Sequence, residues 1–338
     1  MKEARWWKSL NGKVNCYLCP RYCKIGDGQK GFCFVRKNFN GKIYSTAYGS
    51  PCAVNIDPIE KKPLFHFLPG TEILSLGTLG CNLGCIFCQN WTLTKVKKES
   101  STTKQSKELL PKDVVNISLH HKCPSIAYTY NEPTIWAEYA VDIAKIAHKY
   151  NIKSVMVTNG YISDEALHDV YDNIDAANID LKSFSENFYK KYTASHLDPV
   201  LKTLTRLRKE TKVWFEITTL VIPGLNDSDT EIQNLSKWII DNLSPNVPIH
   251  FTAFHPEYKL LDHKPTPLDT LEKARLIAME IGIKFVYVGN ALSDSANTYC
   301  PKCNKLLIKR SWHSIIFSNI NNGKCSCGES IPGIWQNI

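Results

Sequence analysis

Cysteine placement constrains this chain more than any other feature of its sequence. There are 13 cysteines among the 338 residues, and all but Cys52 and Cys123 fall into three groups with short internal spacings. The first ten residues contain no apolar region typical of a secretion signal, and in a reducing compartment such groups indicate metal ligands rather than disulfides. We therefore expect metal binding at three places, and we expect the two isolated cysteines to be buried thiols.

The remaining composition limits the classes of function. With 43% hydrophobic and 22% charged residues, the chain is typical of a globular protein. No apolar run approaches the roughly 18 residues of a membrane-spanning helix, so we expect a cytoplasmic protein without membrane contact. The net charge of +9 could serve a nucleic-acid partner. However, the densest basic stretch, Lys95 to Lys107, lacks aromatic residues and is predicted to be a mobile loop, which disfavours nucleic acid.

The middle of the chain alternates short apolar runs with amphipathic stretches. The predicted strands are Ile73–Gly77, Ser125–Tyr130, Ser154–Thr158, Ala176–Leu181, Val213–Val221, Ile249–Phe254 and Lys284–Val288. The predicted helices are Lys112–His121, Thr134–Lys149, Asp164–Asp172, Pro199–Lys209, Asp229–Asn242 and Leu268–Gly282. Repeated strand–helix units predict an α/β fold with a parallel sheet, which is either open or wound into a closed or partial barrel.

Both ends of the chain differ from this core. We predict a four-cysteine module over residues 1–70, the core over residues 71–290 and a zinc-ribbon-like module over residues 291–338. Segments this short bury little apolar surface by themselves, so we expect metal ions to organise them.

The sharpest motif runs from Gly80 to Cys88 and places Cys81, Cys85 and Cys88 in a CxxxCxxC spacing directly after the first predicted core strand. Three thiolates on one tight loop can hold three irons of a [4Fe–4S] cluster and leave the fourth iron open to another ligand. Gly80 and Gly84 are expected to let the backbone approach the cluster closely. A structural zinc is the alternative, but it usually takes two separated ligand pairs.

Polar residues gather where the other predicted strands end. In parallel α/β barrels, functional residues lie at the carboxyl ends of the strands, so these side chains should converge on the cysteine loop. The residues concerned are Asn131, Glu132, Asn159, Asp180, Lys182, His255 and Asn290. Alternatively, the asparagines only terminate strands, and Glu132 and Lys182 form a structural ion pair.

Several further motifs carry a family resemblance over nearly the whole chain. They are Cys16–Cys23, Gly31–Cys33, Asp57–Leu64, Cys88–Trp91, Thr129–Thr134 and Ile331–Trp335, together with the cysteine triplet and Phe87 before its last cysteine. With them the sequence resembles the AmmeMemoRadiSam system radical SAM enzymes, which are relatives of the pyruvate formate-lyase activating enzymes. The resemblance implies a partial TIM-type (β/α)6 radical SAM barrel with the cluster loop after its first strand.

The resemblance also implies roles for individual residues. Tyr130-Asn131-Glu132-Pro133 stands in the place of a Gly-Gly-Glu-Pro segment that holds the methionyl amino group, although both glycines are replaced here, by Tyr130 and Asn131. The lysine of Asp180-Leu181-Lys182 is expected to neutralise the methionyl carboxylate. The remaining expected cofactor contacts are Phe87, through its backbone to adenine, Asn159, and His255 near the carboxylate.

The implied reaction is reductive cleavage of S-adenosylmethionine to a 5′-deoxyadenosyl radical, with an electron from a low-potential donor. The radical would abstract hydrogen from a substrate that the sequence does not identify. A glycine of a partner protein is one possibility, a small molecule or RNA is another, and a non-catalytic metal-binding scaffold is the third. The resemblance adds Memo-like and AMMECR-type proteins as candidate partners.

The outer cysteine groups are expected to be structural. Cys16, Cys19, Cys23 and Cys33 permit a zinc ion or an auxiliary iron–sulfur cluster, and we favour zinc. Cys300, Cys303, Cys325 and Cys327 are predicted to bind zinc as a ribbon, with a second pair one residue tighter than the usual CxxC.

Overall fold

The computed structural model describes residues 1–95 and 108–335, so the predicted loop beyond Lys95 lies outside the described residues. The N-terminal region contains six short strands, β1 (Lys2–Glu3), β2 (Trp7–Leu10), β3 (Lys13–Cys16), β4 (Lys24–Ile25), β5 (Arg36–Phe39) and β6 (Lys42–Ser45). They form two three-stranded antiparallel sheets, with strand orders β1–β6–β5 and β2–β3–β4.

An eight-stranded sheet forms the centre of the molecule. Its strands are β7 (Ala53–Pro58), β8 (Glu72–Gly77), β9 (Ser125–Tyr128), β10 (Lys153–Thr158), β11 (Ala176–Asp180), β12 (Trp214–Val221), β13 (Ile249–Ala253) and β14 (Val286–Gly289). They follow one another in the sheet in chain order. The edge strand β7 runs antiparallel to β8, and all other neighbours are parallel.

Helices connect the parallel strands. They are α1 (Trp91–Thr94), α2 (Pro111–His120), α3 (Ala137–Ala147), α4 (Leu167–Tyr171), α5 (Glu186–Phe188), α6 (Asp198–Glu210), α7 (Asp229–Asn242) and α8 (Leu268–Ile281). Every residue of β9 and of β13 is buried, as expected for parallel strands covered on both faces. Within the described chain the edges β7 and β14 do not pair with each other, so the sheet is a partial barrel and the predicted α/β fold is confirmed.

Several observed elements differ from the predicted ones, and the edge strand β7 and the short helices α1 and α5 were not predicted. The stretch predicted as a helix from Thr134 begins with a 3-10 turn at Pro133–Trp136, and the helix predicted over residues 164–172 covers only Leu167–Tyr171. A π-helical turn at Tyr189–Thr193 was not predicted. The expectation that Cys52 is buried was wrong, because its side chain is exposed, whereas Cys123 is buried as predicted.

The C-terminal region closes the amino end of the barrel. Its strands β15 (Thr298–Tyr299), β16 (Leu306–Ser311) and β17 (Ser314–Ser318) form an antiparallel sheet. Arg310 is fully buried and donates to the carbonyl of Phe65 at 2.9 Å. The buried carboxylate of Glu216 on β12 accepts from the backbone N–H groups of Phe65 and His66 and lies 2.7 Å from His250 Nε2. These contacts leave the carboxyl end of the sheet for a functional site.

A buried ion pair joins the N-terminal sheets to the barrel. Arg36 on β5 and Glu138 on α3 are 2% and 3% exposed, and their side chains meet at 2.7 Å. Glu138 also accepts the backbone N–H of Arg5 at 2.8 Å. Burial works against the charge on Arg36, but Glu138 raises the pKa of the guanidinium above its ordinary value, so Arg36 stays charged. Within the described chain, no helix is both long and apolar enough to cross a membrane.

We expect Glu138→Ala to lower the free energy of unfolding by about 3–5 kcal/mol, because the substitution leaves the charge of Arg36 buried without its partner. Urea denaturation followed by tryptophan fluorescence measures the effect. Glu3→Ala is the matched control, since Glu3 pairs with Lys42 on the exposed face of the same N-terminal region. If Glu138→Ala unfolds at a urea midpoint as high as that of the control, the ion pair of Arg36 and Glu138 does not stabilise the fold.

Candidate active site

The cysteine loop from Gly80 to Cys88 follows β8 and has no regular secondary structure. Other segments therefore supply its hydrogen bonds. The N–H groups of Gly84 and Ile86 donate to the carbonyls of Thr193 and Tyr192, at 2.7 and 3.0 Å. The Lys95 ammonium donates to the carbonyl of Leu83 at 2.7 Å. The π-helical turn is thus a direct support of the loop, in line with the frequent occurrence of π turns at functional sites.

The two loop glycines are needed because neighbouring protein segments approach them closely. At Gly80, which has φ +90°, an added Cβ would lie 2.2 Å from the carbonyl oxygen of Cys33. At Gly84 it would lie 2.9 Å from the Cβ of Ala194. The glycines therefore make room for neighbouring protein, and Gly80 lets the N-terminal cysteine module pack directly against the loop.

The three loop sulfurs are suited to hold a metal cluster. The N–H of Leu83 donates to Cys81 Sγ at 3.3 Å, and Thr94 Oγ1 lies 3.2 Å from Cys88 Sγ. Burial raises the pKa of the free Cys85 thiol to about 11, and burial likewise raises that of Cys81. A buried thiolate needs a compensating charge, and coordination to a metal would supply it.

Asn131 and Glu132 lie at the carboxyl end of β9, as predicted. The Asn131 amide accepts from the N–H of Thr78 at 3.0 Å and donates to the carbonyl of Gly80 at 2.9 Å, so its side chain fixes the start of the loop. Tyr130, where the related segment has a glycine, adopts φ +66°. This left-handed conformation is costly for tyrosine and is the backbone shape that glycine would otherwise provide.

The Glu132 carboxylate joins the ends of β9 and β10. It accepts from Thr158 Oγ1 at 2.7 Å and from the backbone N–H of Asn159 at 2.8 Å. Burial raises the pKa of Glu132, although these donors oppose the shift. Asn159 in turn donates to Asn82 Oδ1 at 2.9 Å, and its Nδ2 lies 3.9 Å from Cys81 Sγ. The carboxyl ends of β9 and β10 and the cysteine loop are therefore joined by hydrogen bonds into one unit.

Lys182 pairs with Asp180 rather than with Glu132. The distance between Lys182 Nζ and Asp180 Oδ2 is 2.6 Å. Asp180 is the last residue of β11, and Lys182 lies two residues after it. Burial opposes the charge on Lys182, but Asp180 and the nearby Cys85 and Cys88 raise the pKa of the ammonium. A positive charge is thus held beside the loop, where an anionic ligand of the cluster iron could meet it.

Phe87 and His255 occupy different environments. The Phe87 side chain is 2% exposed, and its ring lies 5.8 Å from that of Phe188, so its side chain is part of the core. His255 follows β13 at the carboxyl end of the barrel and is exposed to solvent. Both positions are compatible with the predicted contacts.

Sequence reasoning missed two residues that hold the loop. Arg21 donates to the carbonyls of Asn82 and Ala194, and its guanidinium lies 3.4 Å from the centre of the Phe32 ring. Asn82 is 0% exposed and donates to the carbonyl of Tyr161 at 2.8 Å. The sequence offered one signal for this role. Arg21 lies two residues after Cys19 and Asn82 directly follows Cys81, and residues next to metal ligands often fix the conformation of the ligand loop.

The outer cysteine groups differ in geometry. The four C-terminal sulfurs all lie within 4.8 Å of one another, with Cys300–Cys327 at 3.6 Å and Cys303–Cys325 at 3.7 Å. This group is the only one of its kind found among the described residues, so neither the N-terminal cysteines nor the loop cysteines are packed that closely. The predicted C-terminal cysteine cluster is thereby confirmed.

Comparisons with known proteins agree with this geometry. The family model described as "Radical SAM superfamily" matches residues 76–235. The chain is 43% identical over 336 residues to the uncharacterized protein MJ0808 of Methanocaldococcus jannaschii, covering 98% of this chain and 99% of that one. It is 23% identical over 227 residues to the pyruvate formate-lyase 1-activating enzyme of Escherichia coli K12, covering 62% of this chain and 89% of that enzyme.

A solved structure shows the same fold. The crystal structure of a radical SAM methyltransferase from Sphaerobacter thermophilus aligns with a TM-score of 0.51 at 15% identity. The alignment covers 71% of each chain.

We expect Gly80→Ala to destabilise the chain by several kcal/mol more than Gly224→Ala, because only at Gly80 would the new methyl group overlap another backbone segment. Gly224 has φ +75°, and a Cβ added there would have no atom within 4 Å. Alanine at this position therefore costs only the strain of a left-handed backbone, about 1–2 kcal/mol. Urea denaturation and the yield of folded protein measure both changes. Equal losses in the two variants would show that the contact with Cys33 is unimportant.

Proposed function

Because the chain belongs to the radical SAM superfamily and is similar to pyruvate formate-lyase activating enzymes, we propose that it cleaves S-adenosylmethionine at a [4Fe–4S] cluster held by Cys81, Cys85 and Cys88. When bound and reduced by a low-potential donor, the cluster supplies the electron that splits S-adenosylmethionine into methionine and a 5′-deoxyadenosyl radical. The observation that carries this proposal is the position of the cysteine loop at the carboxyl end of β8, within one hydrogen-bonded unit with the next strand ends.

Each neighbouring residue has a distinct task in this proposal. Asn131 positions the loop, and Glu132 with Asn159 fixes the wall against which the methionyl group binds. Lys182 meets the methionyl carboxylate as a compact positive charge. Phe87 offers its backbone to adenine, and His255 closes the carboxylate side of the opening.

A glycine in a partner protein is the substrate that we propose. The similarity to enzymes named as activating enzymes supports this, including the 4-hydroxyphenylacetate decarboxylase activating enzyme of Clostridioides difficile, 25% identical over 177 residues. An aromatic pair also lies beside the loop, since the exposed Trp91 ring stacks on the half-buried Tyr258 ring at 5.7 Å. Such a pair suits a polypeptide better than a small polar metabolite. Memo-like and AMMECR-type proteins remain candidate partners within the AmmeMemoRadiSam resemblance.

The C-terminal cysteines fit zinc in this scheme. Tetrahedral zinc with Zn–S bonds of about 2.3 Å places its sulfurs roughly 3.8 Å apart. The separations of 3.6 and 3.7 Å at Cys300–Cys327 and Cys303–Cys325 are close to this value. We propose that this zinc stabilises the module that closes the barrel, and that the enzyme works in the reducing cytoplasm, where its thiols stay free for metal.

After anaerobic reconstitution with iron and sulfide, the chain should form 5′-deoxyadenosine from S-adenosylmethionine and dithionite. Cys85→Ala should abolish the product, because the cluster loses one of its three ligands. Chromatography of the quenched reaction measures it. Cys52→Ala is the matched control, since Cys52 is an exposed cysteine outside all three groups, and it should retain activity. Product formation by Cys85→Ala would refute the cluster assignment.

Lys182→Gln should raise the KM for S-adenosylmethionine at least about tenfold, which corresponds to about 1.4 kcal/mol, with a smaller change in kcat. The reason is loss of the charge that meets the methionyl carboxylate. Initial rates of 5′-deoxyadenosine formation, measured against S-adenosylmethionine concentration, separate the change in KM from the change in kcat. The iron content shows that the cluster is retained. Lys190→Gln, an exposed lysine of the π-helical turn, is the control. An unchanged KM would assign Lys182 to structure only.

A further inference from the structure

The four N-terminal cysteines line one small cavity. Its volume is about 10 Å³, and Cys16, Cys19, Cys23 and Cys33 all lie in its wall. Its other walls are largely apolar, with Leu18, Ile25 and Ile135 among them. Four thiols that converge on one void in this way have the arrangement of a metal-ligand set.

The C-terminal cysteines provide an internal comparison for this site. There the sulfurs approach to 3.6 and 3.7 Å, the spacing that a single tetrahedral ion imposes. The N-terminal sulfurs do not close to within 4.8 Å as a group, although the same kind of residue is available. Four thiolates on a cubane cluster are held roughly 6 Å apart by the iron atoms between them. The wider spacing of the N-terminal sulfurs therefore calls for an occupant larger than one ion.

We propose that Cys16, Cys19, Cys23 and Cys33 bind a second iron–sulfur cluster of the [4Fe–4S] type, and not the zinc ion that the sequence alone favours. Four cysteine ligands complete the coordination of such a cluster. It therefore has no open iron for S-adenosylmethionine, and its chemistry differs from that at the Cys81 loop.

A hydrogen-bond donor at one of the sulfurs agrees with a bound thiolate. Arg36 Nε donates to Cys16 Sγ at 3.2 Å from a buried position. Hydrogen bonds to cluster sulfurs stabilise the charge of the cluster and tune its potential.

The second site lies directly against the first cysteine loop. Asn82, which follows Cys81, lines the cavity, and the carbonyl of Cys33 is in close contact with Gly80. On the opposite side, Cys19 and Cys23 are only half-buried. The proposed cluster therefore has one side near solvent and the other at the loop of the reactive cluster.

The test uses the full chain with Cys81→Ala, Cys85→Ala and Cys88→Ala combined, which removes the first cluster and leaves the N-terminal cysteines intact. After anaerobic incubation with iron and sulfide, this variant should retain about four iron and four sulfide per chain, half of the wild-type content, with cluster absorption in the visible range. Elemental analysis should also show one zinc per chain at the C-terminal site. Circular dichroism verifies that the variant is folded.

Two further variants complete the design. Adding Cys19→Ala and Cys23→Ala to the triple variant should remove the remaining iron and sulfide. In the wild-type background, Cys303→Ala with Cys327→Ala should lower zinc and leave iron unchanged. A triple variant with two zinc ions and no sulfide would overturn the proposal, as would a wild-type chain that never exceeds about four iron. These readouts do not involve S-adenosylmethionine, so they stand or fall independently of the proposed reaction.

Discussion

The cysteine loop has no regular secondary structure, so its shape depends entirely on hydrogen bonds from distant parts of the chain. The Asn131 amide fixes its first turn, and the carbonyls of Tyr192 and Thr193 accept from its middle. Asn159 donates to Asn82 within it. Three thiols can hold three irons of a cluster only if the backbone between them is set in advance. Most of the architecture described above serves this single requirement.

The N-terminal region is part of this support and not an appendage. Arg21 reaches from it to the carbonyl of Asn82, and the Cys33 carbonyl packs on Gly80. The ion pair of Arg36 and Glu138 fixes the same region to α3. The division into domains 1–70, 71–290 and 291–338 stays a prediction, and these contacts join the first two of the predicted domains.

Prediction from sequence succeeded where a local pattern carries the information. The strand–helix alternation determines the parallel sheet, and the spacing of Cys81, Cys85 and Cys88 marks the loop, because both depend on residues close in the chain. It failed where the information is long-range. The sequence around Asn131 does not show that its side-chain amide donates a hydrogen bond to the carbonyl of Gly80. The π-helical turn is likewise recognisable only from its contacts with the loop. The exposed Cys52 likewise depends on how β7 is placed at the sheet edge.

The three cysteine groups differ in backbone geometry although their side chains are the same. At the C-terminus, the short CxxC and CxC pairs bring sulfurs to 3.6 Å, a spacing that suits a single ion. In the other two groups, longer and irregular loops hold the sulfurs further apart, and burial raises the pKa of thiols there. Metal binding would displace those protons, so its free energy would become part of the folding free energy. Because the N-terminal module contacts the cysteine loop through the carbonyl of Cys33 and the side chain of Arg21, occupation of the N-terminal site should stabilise the conformation of that loop.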